Sequence, residues 1–169
     1  MRPGSVGWWA AKIRQARRHL GARAAPAERA ALTTWLSPAE LGLFDAMHVS
    51  DRRHGLDVVA WLRADGIDDR EVLLAGLLHD AGKGATGCGP RVLFSLAQID
   101  GLGWIAGFAM LVPRLATPMT RLIAHAELSA RLADGVGCSP RTVELIRTQD
   151  EPVLADRVAQ RLHLADEAS

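Results

Sequence analysis

The segment from Val72 to Asp80 constrains this chain more than any other. Val72, Leu73, Leu74, Gly76, Leu77 and Leu78 make it apolar on nearly every side. A helix without a polar face has to lie inside a protein, wrapped by other helices. This one runs directly into His79-Asp80, followed by Ala81-Gly82-Lys83. Burying an unpaired imidazole or carboxylate is costly, so the pair requires partners at the end of that helix. Neighbouring helical residues point about 100° apart. Both side chains can nevertheless converge on one ion in a cleft at the helix end. Imidazole nitrogen with carboxylate oxygen suits Mn, Fe, Co, Ni or Zn and disfavours thiolate-loving ions. Taken alone, the pair fits equally a histidine satisfied by its neighbours near a helix terminus.

The rest of the chain also reads as helix. Ala, Leu and Arg dominate, Tyr is absent, and no stretch alternates apolar and polar residues with period two. The expectation is an all-α, single-domain helical bundle. Trp9, Ile13, Ala16 and Leu20 mark a first helix over 8–22. Pro26 opens a second, and Ser37-Pro38-Ala39-Glu40 is a capping-box start for a helix to Met47. Asp51 is read as the cap of a helix to Ala64, and Asp68 or Asp69 starts the apolar helix. Gly82, Gly84, Gly87 and Gly89 then break the chain. The 92–112 segment is apolar but interrupted, which suggests core or hairpin packing, with Trp104, Phe108 and Met110 as the alternative membrane-contacting face. Thr117-Pro118 is expected to start a helix holding His125 and reaching Asp134. Ser139-Pro140 opens another, and the last is expected from about Val153 to Ala165.

Composition excludes several classes. Lys plus Arg number 20 against 19 Asp plus Glu, so charge alone gives no reason to expect nucleic-acid binding. The run Arg14, Arg17, Arg18 and Arg23 reads as a solvated helix face. Only Lys12 and Lys83 are lysines, which draws attention to Lys83 beside the His-Asp pair. Cys88 and Cys138 form no CxxC and are expected to be free thiols. There is no secretory h-region, which makes the cytoplasm the expected location. No P-loop or GxSxG occurs. Nothing in the sequence specifies an oligomeric state.

Two further sites complete a candidate constellation. His54 lies 25 residues before His79, on the preceding helix. An antiparallel pair joined by the Asp65–Asp69 turn brings the two together. Asp166, in Leu164-Ala165-Asp166, sits on another apolar helix and likewise requires a partner. A His-His-Asp-Asp set leaves positions for water and a phosphate oxygen.

In this order the blocks Asp51-Arg52-Arg53-His54, Leu77-Leu78-His79-Asp80-Ala81-Gly82-Lys83, Ile123-Ala124-His125-Ala126-Glu127-Leu128 and Leu164-Ala165-Asp166 resemble the HD-domain phosphohydrolases. The resemblance runs from about Asp45 to Ser169, with the HDxGK form its most specific part. It implies an HD-type domain over 45–169, preceded by helices over 1–44 that pack on it. It also implies that His54, His79, Asp80 and Asp166 hold a divalent ion (Mn, Fe, Co, Ni, Zn or Mg). That ion activates water against a nucleotide or other small phosphoester, with Asp80, Lys83 and His125 in the catalytic group. Members with two ions carry a further histidine, and the corresponding stretch here is Arg147-Thr148-Gln149-Asp150. One ion is therefore expected rather than two, with Asp150 as the substitute ligand if there are two. His125 then contacts phosphate, acts as general acid, or is satisfied by a nearby carbonyl. Lys83 and Arg53 are candidate phosphate contacts, each with a solvated surface cation as its alternative. Asp57 is a candidate for orienting an imidazole. His19, His48 and His163 carry no assigned role. The missing histidine also leaves open a catalytically degenerate binding or regulatory module. The signature of the cyclic-di-GMP branch, which includes a tyrosine, is absent.

Overall fold

The computed structural model of the protein describes residues 24–97, 99 and 101–169. Among these there are ten α-helices and no strand: α1 Pro26–Leu32, α2 Pro38–Ala46, α3 Val49–Ala64, α4 Arg70–Leu78, α5 Cys88–Ala97, α6 Trp104–Leu111, α7 Pro113–Ile123, α8 His125–Gly135, α9 Pro140–Arg147 and α10 Arg157–Ala168. A short 3-10 turn, Ala81–Lys83, joins α4 to the following loop. The expected helix over 8–22, with Trp8, Trp9 and the Arg14–Arg23 run, lies outside the described residues.

Helix α4 is the central element. Every residue from Val72 to Leu78 is buried, as a helix without a polar face must be. Helices α3, α9 and α10 pack around it. The core they enclose also takes in Leu32, Leu36 and Phe44 from α1, α2 and the loop between them. The division at residue 44 therefore falls inside α2, and both sides of it share one core. Local chemistry sets the helix starts. Ser37 accepts from the Glu40 N–H while the Glu40 carboxylate accepts from the Ser37 N–H, the reciprocal capping box. Asp69, Ser139 and Asp156 cap α4, α9 and α10 by accepting from first-turn backbone N–H groups, without the reciprocal bond.

The structure corrects three sequence expectations. Asp51 does not cap α3; the His48 side chain does. Asp51 sits one turn in, buried, where Arg91 of α5 grips both of its oxygens at 2.6 and 2.7 Å. The helix expected from Thr117 through His125 is two helices. Val112 is extended, as a residue before proline tends to be, so α7 starts at Pro113 with Pro118 inside it. Ala124 leaves helical geometry and His125 opens α8. The last helix begins at Arg157, four residues later than expected, because Asp156 supplies the cap. The apolar 92–112 stretch forms parts of two helices, α5 and α6. Among the described residues no helix is long and apolar enough to cross a membrane.

Candidate metal centre

Two glycines bring the candidate residues together. A Cβ on Gly55 would lie 2.4 Å from the Leu77 carbonyl oxygen, so α3 and α4 touch backbone to backbone at that point. This contact sets His54, next to Gly55, beside His79, with ring centroids 5.1 Å apart in an edge-to-face arrangement. A Cβ on Gly82 would lie 2.4 Å from the His125 carbonyl oxygen. The turn after Asp80 is thereby pressed onto the start of α8, and the Gly82 N–H donates to Ser129 Oγ at 2.8 Å. Helix α10 closes the site from a third side with Asp166.

The resulting cluster is tight. His54 Nε2 donates to Asp166 Oδ1 at 2.6 Å. His79 Nε2 lies 3.2 Å from the same oxygen and 3.4 Å from Asp80 Oδ1. The ligand atoms of His54, His79 and Asp80 all fall within 4.8 Å of one another, so these three can hold a metal ion. His79 and Asp80 are fully buried, yet His79 Nε2 and Asp80 Oδ1 have only these ion-pair contacts and no well-aligned hydrogen bond within the protein. Buried polar atoms are rarely left so, and two of them aimed into one cluster of imidazoles and carboxylates fit a divalent cation of borderline softness. The opposite edge of the His79 ring is fixed. Its Nδ1–H donates to the Gly76 carbonyl at 2.9 Å, which turns Nε2 inward as the ligand atom. Gln149 Nε2 donates to the His79 carbonyl at 3.2 Å and holds its backbone.

Electrostatics match this arrangement. Burial pushes the His79 imidazolium down, but the Asp80 and Asp166 carboxylates outweigh it and hold its pKa up at about 9. Burial would raise Asp80, yet Lys83 and then His79 and His54 hold its carboxyl well below the usual range. Asp166 is likewise held low by His79 and His54 against burial. The cluster thus sets two carboxylates against the His79 imidazolium, whose proton a bound cation would displace.

Around this centre, Lys83 Nζ donates to Asp80 Oδ2 at 2.6 Å and its side chain is 24% exposed, so it reaches both the cluster and solvent. His125 Nε2 lies 3.8 Å from Asp80 Oδ1 and 4.0 Å from Asp150 Oδ2, while its Nδ1–H donates to the Leu122 carbonyl at 2.8 Å. Arg53 is turned elsewhere. It donates to both Glu28 oxygens and to Asp57 Oδ1 at 2.7–2.8 Å, tying α1 to α3. Asp57 is therefore engaged by Arg53, and Arg53 is not among the groups brought to the cluster. His163 Nδ1–H donates to the Gln149 carbonyl at 2.9 Å. Cys138 is a buried free thiol, pushed by burial up to about 11.

Three supporting roles are not legible in the sequence. Ser129 is legible only as one of several small residues on α8, and the Asp51–Arg91 pair spans 40 residues with no local signal. Gln149 stood at the place of the missing histidine, but its backbone-holding role follows only from the packing. The chain matches no protein-family model, no curated protein and no solved structure.

Proposed function

We propose that the protein is a metal-dependent phosphohydrolase of HD type acting on a nucleotide or another small phosphoester. The observation that carries this reading is the pair of buried ligand atoms, His79 Nε2 and Asp80 Oδ1, that lack an aligned hydrogen bond and share one cluster with His54 and Asp166. His54, His79, Asp80 and Asp166 would hold a single ion drawn from Mn, Fe, Co, Ni, Zn or Mg. When bound, such an ion supplies a water of lowered pKa and a Lewis acid for a phosphoryl oxygen. The chain's own residues supply the rest. Asp80 shares its carboxylate between the ion side, through Oδ1, and Lys83, through Oδ2. Lys83 presents a partly exposed ammonium beside the cluster, where it can neutralise substrate phosphate. His125, oriented by the Leu122 carbonyl and facing Asp80, is placed to hand a proton to a leaving alkoxide.

The second reading is an HD-type module that binds metal without turnover. The observation favouring it is that Gln149, where a second-metal histidine is expected, serves backbone positioning instead. One experiment separates the two. Purified protein is loaded with Mn and assayed on an aryl phosphate and a panel of nucleotides. Turnover lost in His79→Ala and in His125→Gln supports the enzyme. Bound metal in the wild type with no turnover on any phosphoester contradicts it and supports the module.

A further inference from the structure

Among the described residues, six of the ten exposed large hydrophobic side chains lie between Val92 and Ile123. Three of them form one line. On α6, Trp104, Phe108 and Leu111 are spaced i, i+4 and i+7, are 64%, 61% and 80% exposed, and lie opposite the buried Ala109. That helix, WIAGFAML, has no charged side chain. An eight-residue helix with large apolar groups on its solvent side is an interaction face, because single surface hydrophobics are ordinary but a continuous stripe is not.

The neighbouring helix gives the charge of this face. On α7, Arg114, Thr117 and Arg121 are spaced i, i+3 and i+7 and are exposed, away from buried Met119, with the Arg121 guanidinium lying along Gly84 at the edge of this face. Neither arginine has an ion-pair partner among the described residues, whereas most of the other described arginines do. The two outer faces adjoin where the Thr120 hydroxyl donates to Met110 Sδ at 3.6 Å, both residues being exposed. From Gly101 to Ala126 the chain has no aspartate or glutamate. The hairpin therefore presents an apolar stripe beside a cationic one, with no carboxylate between them.

We infer that the outer face of the α6–α7 hairpin seats on an anionic lipid surface. Tryptophan, phenylalanine and leucine fit the boundary between headgroups and acyl chains, and arginines fit the negative headgroups. A second copy of the chain fits less well. A two-fold contact through this face would set its arginines against each other with no acidic group in the face to pair them. The attachment is peripheral, since no described helix spans a bilayer. It does not depend on the metal reading.

The test is sedimentation of the full chain with vesicles of phosphatidylcholine alone and of an equimolar mixture with phosphatidylglycerol. The wild type is expected to pellet with the mixed vesicles, weakly with the neutral ones, and less as salt is raised. Trp104→Ala combined with Phe108→Ala should lower the partition by at least ~10-fold, given the apolar area removed. Arg114→Gln, alone and combined with Arg121→Gln, should bring mixed-vesicle binding stepwise down to the neutral-vesicle level; both residues lie outside the hydrophobic core. Metal content and helicity of both variants should equal those of the wild type. Absence of wild-type binding to the mixed vesicles overturns the inference. So does binding unchanged by the arginine pair, or a wild-type dimer that the aromatic pair dissociates.

Discussion

At the scale of single residues, the account turns on protons and cations competing for the same atoms. His79 is held at about 9 by the carboxylates around it. A group with a raised folded pKa stabilises the fold fully below its unfolded value, near 6.5, and loses that contribution as pH rises through its folded value. Asp80 and Asp166 are held low, so their contribution is present above the ordinary carboxylate range and is lost on acidification. Protein stripped of metal by chelation should therefore be most stable between about pH 4 and 6.5, and its melting temperature should decline from there to about pH 9. Metal affinity should run the other way, tightening with pH up to about 9 as the imidazolium proton becomes easier to displace. Pulse calorimetry across that range checks both slopes. Lys83 makes a separate prediction, because its ammonium touches Asp80 and solvent without being a ligand. Lys83→Met should keep the ion and lower kcat/KM on a phosphoester by ~10- to 100-fold. A variant that loses the ion instead would mean that Lys83 serves to hold Asp80 in place.

At the scale of elements, the site depends on how closely helices approach. Gly55 lets α3 lie against the Leu77 carbonyl, and a methyl there has no room. Gly55→Ala should push α3 outward, cost about 1–3 kcal/mol of stability and weaken metal binding by separating His54 from His79. Equal metal affinity in a folded Gly55→Ala protein, by titration calorimetry, would show that the helix contact does not set the site. The Asp51–Arg91 pair clamps α3 to α5 and sits beside Gly84, whose carbonyl also accepts from Arg91 at 3.2 Å. Arg91→Ala leaves the Asp51 carboxylate buried and unpaired by that guanidinium, a change expected to cost about 3 kcal/mol. Thermal denaturation reads this directly. Sequence reasoning reached the elements well where caps and turn glycines speak locally, as at Ser37, Asp69 and Ser139. It set one helix over 117–134 where there are two, because Thr117-Pro118 carries the ordinary sign of a helix start while Pro113 supplies the actual one and Ala124 leaves helical geometry. It misread Asp51 because a carboxylate near a helix start is the ordinary sign of a cap, while its true partner lies 40 residues away.

At the scale of the molecule, the described residues form a core that carries a candidate centre at one place and an exposed apolar face at another. The sequence made the centre legible because His79 and Asp80 directly follow a helix too apolar to tolerate them singly, whereas Asp166, on an amphipathic helix, was legible only through its place after them. The surrounding positions were less legible because a guanidinium or an amide announces its partner only in three dimensions. Arg53 ties α1 to α3, and Gln149 holds the His79 carbonyl. The central claim is that one divalent ion binds where α3, α4 and α10 meet. It is tested most directly by elemental analysis of dialysed wild-type protein beside His79→Ala and Asp80→Asn variants, each shown to be helical. The account predicts about one transition-metal equivalent per chain in the wild type and a near-complete loss in both variants. A wild type that holds no more metal than either variant, after loading with Mn, Fe, Co, Ni, Zn and Mg in turn, would contradict it.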